Sequence, residues 1–306
     1  KFFHSTVFIK KREMTLTNNY EVIHRKGFQQ PEDTHTAQSS SKPEALSTVN
    51  KLANFVDWAT YDLPPRTKTL KLSFYANLHK STMVLYMLGL MIYFINFSLD
   101  SWVYAALHGS YALLWNLKTM AFPDATHQKR ISIGSLLPLF SVLIFYWYIP
   151  YLMASGQSEQ NPSYERVFWS IMMYVIGACV MMISDAQKYF VLKHKKGLID
   201  YGMFAFSRNP NYLGEMTLYG SFALLSNRWV PWIILISIWC SVFAVMMVIK
   251  EMSFRRKEGW EQYKKRSYIL FPKIYGSHFW SFLVYGAALV IGIYCYNKGG
   301  LCKVFV

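Results

Sequence analysis

The densest run of chemically capable residues is Ser207-Arg208-Asn209-Pro210-Asn211-Tyr212-Leu213-Gly214-Glu215, where a basic loop meets an apolar segment. Asn209 followed by Pro210 reads as a helix N-cap and first helical residue, because proline lacks only a donor that would be orphaned there anyway. A helix starting here presents free N–H groups and the positive end of its dipole, with Arg208 beside them, which suits an anion. Asn211 and Glu215 fall four apart, on one helical face. A carboxylate carried into an apolar segment costs about 2.5–3.5 kcal/mol at mid-bilayer, so Glu215 is expected to face protein or ligand rather than lipid.

Two further groups have related chemistry. Asp185, Gln187 and Lys188 end an apolar run, and Lys250 to Tyr275 follow another. In the latter block Glu251 and Arg255 are spaced for an i,i+4 pair, and Trp260, Tyr263 and Arg266 recur every three residues. Together the three segments could close a pocket for a ligand with phosphates or a carboxylate. Ordinary interface anchors and aromatic belts account for the same residues, so both readings stay open. Nearer the N-terminus, His108, Tyr111 and Trp115 share a helical face with Asn116 and Lys118 nearby. A histidine inside an apolar span can donate a proton near neutral pH, or simply be a satisfied core group.

The elements that position these residues are membrane-like. The 306-residue chain is 53% hydrophobic, 18% aromatic and only 16% charged, yet carries a net charge of +15. Apolar runs at about 82–98, 102–122, 131–153, 165–184, 212–226, 230–249 and 278–296 predict an all-α bundle of about seven transmembrane spans, the fifth short. Lys71–Lys80, 122–130, Lys188–Arg208 and Lys250–Lys273 are basic, whereas Ala154–Glu165 has two acids and no base. Seven crossings put every basic loop on one side, as the positive-inside rule requires. The basic residues cluster beside membrane segments, so anionic headgroups, topology and an anionic cofactor explain them better than nucleic acid does. Cys179, Cys240, Cys295 and Cys302 lie far apart with no metal spacing and are expected to be small apolar core residues; no metal site is predicted.

Residues 1–70 read as a polar N-terminal extension, irregular to about residue 60, with a linker-like run at Gln38–Pro43. Residues 71–275 form the expected transmembrane domain and 276–306 an added C-terminal helix and tail. A polar extension of this kind is disordered alone, so protein subunits are its expected partners, with lipids around the spans. The chain opens on Lys1 and stays basic without an acid to Arg12, which fits a processed organellar protein or a truncated one. That start favours the mitochondrial inner membrane over the endoplasmic reticulum.

Several of these motifs carry a family resemblance. Ser184-Asp185-Ala186-Gln187-Lys188, Gly197 to Phe204 and Ser207 to Glu215 resemble the steroid 5-alpha-reductase C-terminal family, with His108-Gly109-Ser110-Tyr111 similar to its bacterial multi-pass branch. Gly259 to Arg266 and Phe271-Pro272-Lys273-Ile274-Tyr275 are similar to sterol reductases, and isoprenylcysteine carboxyl methyltransferases share a looser version. The resemblance spans about residues 80–275. It implies NADPH on the basic face, with Asp185 near the nucleotide and Asn211 and Glu215 at the nicotinamide end. Lys188 and Tyr212 join that wall, and Arg208, Arg255, Arg256, Tyr263 and Arg266 are the candidates for phosphate and adenine contacts. Glu215, Tyr111 and His108 are the candidate catalytic groups. Asn209 stands where many relatives carry histidine, and the buried glutamate that steroid reductases place in their early spans has no counterpart.

Three readings follow: NADPH-dependent reduction of a double bond in a lipid-like substrate, S-adenosylmethionine-dependent methyl transfer in the membrane, or a non-catalytic subunit of a larger, possibly respiratory, membrane complex without cofactor.

Overall fold

A computed structural model of the chain describes residues 43–158 and 162–298. The basic start, the Gln38–Lys42 stretch and the expected partner-binding tail lie outside these residues. The described part of the extension is not irregular: α1, Pro43–Tyr61, is a helix with proline in its first turn. Its end is held by a hydrogen bond from Tyr61 Oη to the Thr126 carbonyl (3.1 Å) and from Leu63 N to Ser135 Oγ (3.2 Å).

All seven apolar runs are helical. They are α2 (Leu72–Tyr93), α3 (Leu99–Ala121), α4 (Leu136–Ala154), α5 (Tyr164–His194), α7 (Pro210–Ser226), α8 (Trp229–Ile238) with α9 (Ala244–Arg255), and α11 (His278–Lys298). A π-helical turn, Trp239–Phe243, joins α8 to α9. Short helices α6 (Met203–Phe206) and α10 (Trp260–Arg266) lie in the basic loops. A two-stranded antiparallel ribbon pairs β1 (Lys68–Lys71) with β2 (Arg130–Ser132).

Among the described residues, three helices are long and apolar enough to cross a membrane: Leu136–Ala154, Tyr164–His194 and Trp229–Arg255. The others fall short for physical reasons. Helix α2 starts ten residues before the expected run and takes in His79 and Lys80, α3 carries Asp100 and Lys118, and α7 has only 17 residues. Large apolar side chains such as Leu85, Ile92, Leu137 and Ile144 remain well exposed, as lipid-facing positions are. Cys179 and Cys240 are also exposed, so they are not core residues as expected from sequence.

Local signals set the helix ends. Ser163 Oγ accepts the Arg166 amide at the start of α5, Glu165 sits in its first turn, and Lys193 and His194 close its last turn, all favourable to the helix dipole. Asn227 ends α7 in the left-handed conformation (φ 48°) that asparagine tolerates.

The tightest crossing is between α5 and α7. A Cβ on Gly177 would lie 2.5 Å from the Leu218 amide nitrogen and 2.6 Å from the Gly214 carbonyl oxygen; one on Gly214 would lie 2.5 Å from Met181 N. Glycine at both positions lets the backbones touch, as in membrane helix pairs. The core beside this crossing holds Met87, Met91, Tyr104, Met153, Met181 and Phe222.

Alternating helix directions bring the starts of α2, α4 and α7 to the same end as the finishes of α3, α5 and α9. The opposite end is closed by Asp100, fully buried, which accepts from Ser98 Oγ (2.5 Å) and Ser158 Oγ (2.6 Å), while Asn96 donates to the carbonyls of Met153 and Ala154.

Candidate functional site

At the basic end a chain of charges crosses from α3 to α5 and the 122–129 loop. Lys118 pairs with Asp185 in the interior, Lys188 stands 3.5 Å from Asp185, and Lys188 Nζ donates to Asp124 Oδ2 at 2.9 Å. Asp124 Oδ1 also accepts from the Thr126 amide (2.9 Å) and hydroxyl (2.6 Å). Burial alone would raise the Asp124 carboxyl; the Lys188 ammonium and the Thr126 donors outweigh it and hold the group well below the usual carboxylate range. Gln187 pins the following loop, donating to the Tyr201 carbonyl (2.8 Å) and accepting from Met203 N (2.9 Å). Asp185 and Lys188 thus occur together as the sequence suggests, but with protein partners.

Helix α7 forms the adjoining wall. Proline occupies its start as expected, and Asn209 is its cap residue, yet the Asn209 side chain makes no capping bond. Its Nδ2 donates instead to the Ile269 carbonyl at 2.9 Å, and its buried Oδ1 has no partner. Asn211 is buried and Glu215 half-buried; among the described residues neither side chain makes a hydrogen bond or ion pair. The charged groups in electrostatic range of Glu215 are Lys118, Lys80, Asp185 and Lys250. Lys250 Nζ lies 4.0 Å over the Tyr212 ring, which packs on Phe243. An acceptor carboxylate and an amide left without protein partners beside cations are what a polar ligand needs.

One step deeper, Lys80 is 8% exposed, and its ammonium donates to Tyr111 Oη and Tyr219 Oη, each at 2.9 Å. The two phenol oxygens are 2.8 Å apart, and the ammonium sits 4.4 Å over the rings of both Tyr111 and Trp115. Tyr219 also faces an apolar cleft between α3, α4, α7 and α8, lined among others by Tyr146, Ile149, Phe222, Leu235 and Ile238. Phe145, 48% exposed, is also part of its lining. His108 lines the same cleft, its Nδ1 2.8 Å from Tyr104 Oη and its ring stacked on Phe222 at 4.9 Å.

The remaining sequence candidates form a separate latch. Arg208 Nε donates to Glu251 Oε1 at 2.7 Å, its Nη1 donates to the Ser267 carbonyl at 2.5 Å, and its guanidinium lies over Trp260. Glu251 therefore pairs with Arg208 and not with Arg255, because the buried loop arginine comes within reach while Arg255 is exposed. Tyr263 is 1% exposed and donates to the Phe204 carbonyl at 2.7 Å. Arg266 is exposed and pairs with Asp200. Arg208, Tyr263 and Arg266 thus spend their polar groups tying α10 and Ser267 to the 200–208 segment, which does not leave them as free anion ligands. Arg255 and Arg256 lie exposed at the end of α9.

The sequence names Lys118 beside His108 and opens a basic block at Lys250, but points to neither Lys80 nor Tyr219. The sequence puts Lys80 in a basic loop, because the apolar run of the first span begins at about residue 82. The signal for it lay in pairing a lysine inside a helix with the tyrosines of two other spans, which only the fold brings together. No group of histidine, cysteine, aspartate and glutamate suited to a metal occurs among the described residues.

Residues 119–271, half of the chain, match the model of a family described as Protein of unknown function (DUF1295). The chain belongs to the DUF1295 family. Its family segment contains the α7 wall, Asp185, Lys188, Lys250 and the Arg208 latch, whereas Lys80 and Tyr111 precede it. An uncharacterized protein of Schizosaccharomyces pombe is 25% identical over 99 residues, a match spanning 32% of this chain and 36% of that protein. The chain thus spans about a third of the length of that relative.

Proposed function

We propose that this DUF1295 protein is a multi-pass membrane oxidoreductase, built of about seven spans with its basic loops on one face, that reduces a double bond of a lipid-like substrate with NADPH. The observation that carries the reading is the α7 wall: Asn211 and Glu215 stand without protein partners among Lys80, Lys118 and Lys250, on the polar side of Tyr219. The apolar cleft lies on its other side. A cluster of polar side chains and an apolar cleft that adjoin at Tyr219 suit ligands of opposite character. The resemblance to steroid 5-alpha-reductase-like proteins supports the same choice.

The residues present fit a dinucleotide at its reacting end. Asn211 offers an amide donor and acceptor, Glu215 an acceptor, and Lys250 a cation, while Arg255 and Arg256 lie exposed at the basic end for phosphate oxygens. Bound there, NADPH would supply a hydride. The protein's own part is to orient the polar ligand through Asn211 and Glu215, to hold the apolar ligand against Tyr219, and to keep water from the shared wall.

A second reading, a non-catalytic subunit of a larger membrane complex, is favoured by one observation: Asp185, Arg208, Tyr263 and Arg266 are all satisfied by internal partners. Mass spectrometry of everything that co-purifies with the native protein separates the readings. Released NADPH or NADP supports the reductase, and S-adenosylmethionine redirects it to methyl transfer. Stoichiometric protein partners with no nucleotide would replace the proposal by the second reading.

A further inference from the structure

The foot of α11 carries a cluster whose hydrogens are not all spent. His278 opens that helix, and its two ring nitrogens meet Tyr268 Oη (2.6 Å) and Lys273 Nζ (3.2 Å). An ammonium can only donate, so Nε2 accepts from Lys273, and in a neutral imidazole the ring hydrogen then sits on Nδ1. Nδ1–H donates to the Tyr268 oxygen, which leaves the Tyr268 hydroxyl hydrogen for an acceptor outside the cluster. Lys273 gives a second hydrogen to the Lys265 carbonyl (2.6 Å), and its third has no acceptor among the described residues. The ammonium stands 5.5 Å from the centre of the Tyr268 ring, so the two unspent donors, one of them charged, are neighbours. His278 is exposed, Tyr268 and Lys273 are half-buried, and among the described residues no carboxylate pairs with any of the three.

The surroundings place this cluster at the level of lipid headgroups. From Phe279 to Asn297 the chain has no charged residue, and Tyr275, Phe279 and Trp280 are exposed beside the start of α11, as in the aromatic belt of a membrane protein. Phe282, 81% exposed, lies one helical turn on from His278 and on the same face. We propose that Tyr268, Lys273 and His278 form a phosphate-binding site for an anionic phospholipid. Lys273 and Tyr268 each donate to a phosphate oxygen, a charge-assisted pair of bonds. His278 does not touch the lipid; it is a positioning residue that holds the two donors together through its ring nitrogens. Phe282 offers an apolar surface to the acyl chains. The net charge of +15 attracts any anionic headgroup to every exposed lysine, but the cluster adds two directed donors at one depth.

The test needs no nucleotide and no turnover, so it stands apart from the reductase reading. Native mass spectrometry of the full-length protein released from detergent follows the binding of added phosphatidylglycerol, of phosphatidylcholine and, in a separate titration, of inorganic phosphate. The site predicts that phosphatidylglycerol binds about tenfold more tightly than phosphatidylcholine. Inorganic phosphate, with no acyl chain for Phe282 to meet, binds about a hundredfold more weakly than the anionic lipid. Lys273→Gln lowers the phosphatidylglycerol affinity about tenfold, and Tyr268→Phe, which keeps the ring, about fivefold. Lys196→Gln removes the same charge from another exposed position of the basic end and changes the affinity by less than about twofold. Equal binding of the two lipids, phosphate binding as tight as the lipid, or equal effects of Lys273→Gln and Lys196→Gln overturns the proposal.

Discussion

Single residues in this protein divide into those spent on structure and those left for a ligand. Arg208 was the natural choice for an anion contact, since it precedes a helix start in a basic loop. The fold uses it to neutralise Glu251, with both side chains close to nine-tenths buried. Removing one member of such a pair leaves an uncompensated buried charge, at a cost of about 3–5 kcal/mol. Arg208→Ala is therefore expected to lower Tm by several degrees with or without nucleotide, read by thermal unfolding in detergent; an unchanged Tm with weakened nucleotide binding would return Arg208 to the ligand. Asp124 makes a prediction about pH. Its folded carboxyl lies below its unfolded value of about 3.9, so its pairing with Lys188 contributes stability in full above about pH 4 and loses it as pH falls through the folded value. Asp124→Asn should destabilise by about 1–2 kcal/mol at pH 7, and the gap to the parent protein should narrow below pH 4. A gap independent of pH would mean that the pair contributes nothing through charge.

At the scale of elements, the apolar runs were legible because a span must satisfy its backbone internally and face lipid with apolar side chains. The Asn209-Pro210 helix start and the Asn211–Glu215 spacing were legible for equally local reasons. What escaped was whatever depended on two distant elements meeting. Glu251 has Arg255 four residues on, but finds Arg208 across the loop. Helix α1 was missed although Leu46, Val49, Leu52, Ala53 and Val56 recur at helical spacing, because the preceding Ser-rich stretch and Pro43 read as linker, and proline is as acceptable in a first helical turn as in a loop. The Gly177–Gly214 contact was invisible for the same reason: each glycine looks unremarkable within its own helix. Gly214→Val is expected to force α5 and α7 apart, costing about 1–3 kcal/mol or more and lowering the yield of folded protein on gel filtration. Gly89, with open space where a side chain would go, should accept the same change without loss. Equal behaviour of the two variants would discount the close crossing.

On the scale of the whole molecule, the fold sets a basic end, a buried polar network and a lateral apolar cleft along one axis. Lys80 lies eight residues into α2 and Tyr111 ten residues before the end of α3, about 12 and 15 Å from that end at the rise of an α-helix. The Lys80–Tyr111–Tyr219 cluster is built from both sides of the family segment's boundary, with Lys80 and Tyr111 before residue 119 and Tyr219 after it. The α7 wall decides whether this geometry serves a nucleotide. The most direct test is a titration of NADPH against the purified protein in nanodiscs, alongside Glu215→Gln. Saturable binding that weakens about tenfold or more in the variant while Tm is unchanged is expected; no saturable binding, or equal affinity in the two proteins, would rule out a nucleotide at the α7 wall.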